Sequence, residues 1–85
     1  FFNMQDTRIA LLGIILTSHD SVEKLNHLLG QYSSYIIGRM GVPYREKNIS
    51  IISVALDAPN DIISSLSGKI GMLPGVSSKT IYTKS

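Results

Sequence analysis

Cysteine is absent from the 85 residues. Disulfide staples, a thiolate nucleophile, a zinc ribbon and iron–sulfur ligation are therefore excluded, stability must come from packing, and a reducing compartment is permitted. Charge is also sparse. Eight Lys/Arg stand against six Asp/Glu, and the formal net charge is +2. Even with a pI near 9.1, that balance is too small for the clustered basic footprint of an autonomous nucleic-acid binder, so specific DNA binding by this chain alone is not expected. Long hydrophobic runs are missing too. The longest, Ile9 to Leu16, falls well short of the roughly 20 residues that cross a bilayer, and no cationic start with a small-residue cleavage pattern precedes it. A cytoplasmic protein without a membrane partner is the expectation.

What is present is 44% hydrophobic residues in a chain of 85, which describes one small domain. Residues 1–6 read as an N-terminal extension, with Met4 as the candidate native start, and residues 7–85 as a single domain.

Arg8 to Leu16 is apolar, rich in β-branched residues and bounded by Thr17, Ser18 and Asp20, which predicts a strand ending in a turn. Asp20 is the expected cap of a helix, with Glu23 at the capping-box position, Val22, Leu25, Leu28 and Leu29 on one stripe and Gly30 as the stop. Tyr35 to Met40 reads as a second strand, Gly41 to Asn48 as a hairpin loop, and Ile49 to Leu56 as a third strand with Ile52, Val54 and Leu56 on one side. Pro59 fits a first helical turn, Asp61 complements the helix start, and Ile62, Leu66 and Ile70 form a stripe that Gly71 ends. Val76 to Thr83 suits an edge strand.

The order βαββαβ predicts an α+β sandwich of the ferredoxin-like kind: a four-stranded antiparallel sheet, strands one and three central, with two helices on one face. The helices cover that face alone. The aliphatic residues left on the other face, including Ile49 and Ile51, need a second cover, most economically another copy of the chain, so a dimer or tetramer is expected.

Candidates for chemistry are few. His19 and His27 are the only histidines. Glu23 and His27, four apart on a helix, could place two metal ligands on one face, or form a solvated pair; no complete metal site is read. Asp57 and Asp61 flank the second helix, where carboxylates serve acid–base work or cap and match the dipole. No serine lies in a nucleophile elbow, so no catalytic residue and no cofactor is assigned. The richest segment is the hairpin. Gly38 and Gly41 bracket Arg39, and Tyr44 and Arg45 follow. Such a loop could offer amide hydrogens, guanidinium forks and an aromatic face to a carboxylate or phosphate, or be a solvated turn whose glycines serve backbone geometry. If the loop is structural, the alternative site lies between subunits near His19.

The segment from Tyr35 through Ser53, followed by Asp57-Ala-Pro-Asn-Asp61 and Leu73-Pro-Gly-Val76, resembles the family of iron-only hydrogenase system regulators over nearly the whole chain. Members look like ACT domains and the C-terminal domain of nickel-responsive repressors. The resemblance implies an ACT-like ferredoxin fold that assembles through its sheet, and a regulatory role, transcriptional in kind. Two departures narrow it. ACT domains that bind amino acids commonly have a glycine in the turn after strand one, whereas Thr17-Ser18-His19-Asp20 has none. The nickel repressors add a DNA-binding ribbon–helix–helix and a cysteine ligand, and this chain shows neither. The expected function is a non-enzymatic oligomeric module that binds a small anionic effector or a regulatory protein. The competing expectations are an interaction protein without a small ligand and a small enzyme with its site between subunits.

Overall fold

Strand β1, Arg8–Leu16, shows how one apolar segment serves two surfaces. Its side chains alternate across the sheet: Ala10, Leu12, Ile14 and Leu16 are at most 2% exposed, while Ile9, Leu11 and Ile15 are each 43–44% exposed. The computed structural model describes residues 6–83, so the extension expected over residues 1–6 lies almost wholly outside the described residues. After β1 come α1 (Asp20–Gln31), β2 (Ile36–Tyr44), β3 (Ile49–Ala58), α2 (Asn60–Gly71) and β4 (Val76–Tyr82), with short 3-10 turns at Ser33–Tyr35 and Arg45–Lys47. The sheet runs β2-β3-β1-β4 with every neighbouring pair antiparallel, as expected for the ferredoxin-like βαββαβ order.

One hydrophobic layer lies between sheet and helices. The inner residues of β1 and β3 meet Leu25, Leu28 and Leu29 of α1 and Ile63, Leu66 and Ile70 of α2. Each large aliphatic side chain removed from water there contributes about 1.5–3 kcal/mol, so this layer holds the helices against the sheet.

Several local expectations are corrected. His19, not Asp20, holds the cap position of α1, and no side chain caps the helix; Asp20 is its first residue. The helix passes through Gly30 to Gln31, because Gly30 does not take the positive φ that ends a helix. In α2 the buried stripe begins at Ile63, with Ile62 half-buried beside it. Pro59 stands just ahead of the first turn, where its carbonyl accepts the Ile62 and Ile63 amides at 3.0 and 3.2 Å. The largest difference is the hairpin. Gly41 to Tyr44 continue β2, and the turn itself is only Arg45 to Asn48, closed by the Asn48 amide on the Arg45 carbonyl at 3.1 Å and by Asn48 in the left-handed region at φ 56°. Asparagine tolerates that conformation, which lets the chain reverse directly into β3. β2 also bulges at Ile37, where Ile36 and Gly38 pair with the consecutive residues Leu56 and Ala55.

Candidate functional site

Three connections gather at one end of the sheet. The β1–α1 turn lies against the α2–β4 turn, where the Thr17 amide donates to the Gly75 carbonyl at 2.8 Å and the Thr17 hydroxyl to the same oxygen at 3.1 Å. Ser21, fully buried, donates its hydroxyl to the Pro74 carbonyl, so this polar side chain is satisfied inside the core. Gly75 has φ +69°, and an added Cβ would come within 2.7 Å of the Ser18 Cβ, so only glycine permits the approach. On the other side of β1, His19 Nε2 and Asn48 Oδ1 lie 2.8 Å apart; the ring nitrogen donates to the amide oxygen. His19 is thereby brought to the β2–β3 turn, beside the segment that holds Tyr44 and Arg45.

The remaining candidates are not gathered. Because Gly38 to Tyr44 are strand, their side chains alternate. Gly38 and Tyr44 stand opposite Ala55 and Ile49 on the open face, whereas Arg39 and Gly41 stand opposite Val54 and Ile52 on the helix side. Arg39 donates to Asn26 Oδ1 of α1 at 2.9 Å, and it lines a shallow cleft of about 260 Å³ with Gly41, Pro43 and Ser50 between β2 and α1. Arg39 is separated from the turn that holds Arg45 by the rest of β2, about 17 Å to Tyr44 at 3.3–3.4 Å per residue, so the two arginines do not form one fork for one anion. Asp57 is a strand residue exposed on the open face, away from the α2 cap; Asp61 does serve that helix start, accepting the Ile62 amide at 3.0 Å.

Glu23 and His27 are both exposed on α1 and border a groove of about 450 Å³ between the helices, floored by Leu28 and Leu73 and edged by Lys24 and Lys69. Among the described residues, no group of three or more His, Cys, Asp or Glu comes together to hold a metal ion. Beneath this groove is a cluster that the pattern of the sequence did not single out. Lys69 donates to the Tyr32 hydroxyl at 3.0 Å and stands 5.3 Å from its ring centroid, and Ser65 hydrogen-bonds the same hydroxyl at 3.0 Å. The Lys69 hydrogen bond, helped by that of Ser65, holds the Tyr32 phenol below its usual pKa, with desolvation opposing. Tyr32 and Lys69 are 37 residues apart, which is why spacing carries no sign of the cluster.

The open face of the sheet holds most of the large hydrophobic side chains that are exposed among the described residues. Across it, Val42, Ile51 and Ile15 stand in one row and Ala55, Leu11 and Ile81 in another, with Met40, Ser53, Gly13 and Lys79 between them. The small residues of the middle row leave two hollows: one of about 380 Å³ above Gly13 and Ser77, and one of about 240 Å³ beside Gly38, Ser53 and Ala55. A family model, TM1266-like with the provisional description of iron-only hydrogenase system regulator, matches residues 8–80. The chain belongs to this family. The uncharacterized protein TM1266 from Thermotoga maritima is 38% identical over 93% of this chain and 100% of its own, with a TM-score of 0.89. Two more distant structures share the fold alone. A formyltetrahydrofolate deformylase from Pseudomonas putida KT2440 (14% identity, TM-score 0.61) matches 85% of this chain but 28% of its own. The PII-like nitrogen regulatory protein CPII from Thiomonas intermedia K12, in its apo form, is 16% identical over 89% of this chain and 91% of its own, with a TM-score of 0.54. No curated protein matches the chain. Among the described residues of this family member, no helix is long and apolar enough to cross a membrane.

Proposed function

We propose that this chain is a non-enzymatic, cytoplasmic regulatory module of the iron-only hydrogenase system, working as a homo-oligomer, a dimer or tetramer, assembled over the open face of its sheet. A small anionic effector or a regulatory protein shifts that assembly, and control of transcription passes through such a partner rather than through DNA contacts of this chain. The observation that carries the reading is the bare face itself. Ile9, Leu11, Ile15 and Ile51 are 43–44% exposed on two adjacent central strands, with Met40 and Val42 at 65% and 48% beside them. A contiguous aliphatic surface of this kind on a sheet marks an interface. The family description supports the regulatory part. For the effector, the end of the sheet where His19 meets Asn48 next to Tyr44 and Arg45 is the proposed contact; Arg39 and Gly41, on the helix side of β2, and Gly38, on its open face, are proposed as separate contacts and not as parts of one pocket. The non-enzymatic reading is supported by the histidines, of which His19 is tied to an amide and His27 is exposed on a helix surface.

Sedimentation at micromolar concentration tests the reading. An assembled wild type that Ile51→Lys dissociates supports it, because a lysine placed among aliphatic side chains cannot be covered without an unpaired charge; a stable wild-type monomer refutes it. A thermal-shift panel of carboxylates, phosphates and metals then tests the effector, since a ligand that binds the folded state raises the melting temperature.

A further inference from the structure

We infer that Lys79 of one copy meets Asp57 of a second copy across the open sheet face, and Asp57 of the first meets Lys79 of the second, so that two reciprocal ion pairs set the register of the assembly. The inference rests on the proposed assembly through that face and adds what selects its geometry. Among the described strand residues that the pairing directs to the open face, Asp57 and Lys79 are the charged ones, one of each sign. Lys79 lies opposite Gly13, and Gly13 lies in turn opposite Ser53; Asp57 lies four residues beyond Ser53 along β3, opposite Ile9.

Within one chain these charges are too far apart to meet: about 13 Å along the strand and about 10 Å across two strand spacings. Neither side chain makes an ion pair or hydrogen bond with a described residue. Lys79 borders the hollow above Gly13 together with Ile15 and Ile51, so a cover laid over the aliphatic face comes against its side chain. A charge enclosed there requires a counter-charge. A two-fold interface supplies one without any third component, since in an isologous contact residue i touches j and j touches i. One acid and one base on a single face are therefore complementary to a second copy of that face. The absence of side-chain volume at Gly13, whose added Cβ would meet nothing within 4 Å, leaves room for side chains from the opposite copy to enter.

The test uses charge reversal in the full chain, read by sedimentation. Lys79→Glu and Asp57→Lys are each expected to weaken assembly about 30-fold or more, and the double reversal is expected to restore it, while Lys24→Glu on the helix side leaves it unchanged. A second measurement needs no variant. Carbodiimide coupling of mixed heavy- and light-labelled wild type is expected to yield a Lys79–Asp57 linked peptide pair that joins one heavy and one light chain. If the wild type assembles and Ile51→Lys dissociates it, but neither reversal changes assembly and the mixed cross-link is absent, this pairing is wrong and the sheet-face reading stands. If the wild type is monomeric, both fail. Assembly only in the presence of a different protein overturns the second copy as the occupant.

Discussion

Replacing Gly75 by alanine probes the junction where the β1–α1 and α2–β4 turns touch. Gly75 has φ +69°, a region that costs an L-residue about 1–2 kcal/mol. The new Cβ would also stand 2.7 Å from the Ser18 Cβ, 3.1 Å from the Ser18 amide nitrogen and 3.1 Å from the Thr17 hydroxyl. Neither of the Ser18 atoms can rotate away, so the backbone of the β1–α1 turn must move, an overpacking cost of about 1–3 kcal/mol. The two together predict about 2–5 kcal/mol of destabilisation, which lowers the Tm of a domain this size by about 10 °C or more. The matched control is Gly30→Ala, in the last turn of α1, where no atom lies within 4 Å of the added Cβ and φ is not positive; there alanine stabilises by about 0.5–1 kcal/mol. Circular-dichroism melts of both variants at one protein concentration decide the matter. If Gly75→Ala melts within 2 °C of the wild type, the inferred approach of the two turns is refuted.

The double variant Arg39→Ala and Arg45→Ala is expected to keep the wild-type melting temperature within a few degrees and the wild-type mass, because both residues are exposed, while regulatory activity in the host fails; full retained regulation and ligand response would make β2 and its turn structural. Tyr32 is expected to begin ionising below its ordinary pKa of 10, measured by absorbance titration as the difference from Tyr32→Phe, and Lys69→Met should move it back up. In sign, a phenol whose pKa is depressed by folding adds stability that is full above 10 and is lost as pH falls through the folded-state pKa. The wild type should therefore gain on Lys69→Met as the pH approaches 10 from below, and parallel stability profiles would count against the Lys69 contact. In gel-shift assays the isolated chain should show no sequence-dependent, salt-resistant binding to duplex DNA; such binding would contradict the charge reading.

Legibility in the sequence followed the range of the forces involved. β1 and β3 were legible from their aliphatic content, and the split βαββαβ order followed from where the helices fell, because periodicity and turn chemistry act over a few residues. The β2 hairpin was read too long because Gly41 and Pro43 are turn formers by composition, yet on an edge strand a proline needs no ladder partner on its outer side and a glycine fits the pleat. Ile62 and Ile63 are adjacent and equally apolar, so the choice between them depends on the angle at which α2 meets the sheet. At the candidate site, the residue types were legible but their grouping was not. His19 reaches Asn48 across 29 residues and Lys69 reaches Tyr32 across 37, distances over which only the closed fold brings side chains together.

β2 forms one rim of the sheet, and its Ile37 bulge and Pro43 interrupt that rim near both ends. An incoming strand would find an irregular pleat at one end and a missing amide hydrogen at the other, which shortens the stretch it can zip onto. Growth of the sheet sideways, copy after copy into an open-ended ribbon, is thus discouraged at β2. In the proposed assembly, association goes through a face that a partner can close, so the same nine-residue strand that exposes apolar side chains also resists pairing along its own rim.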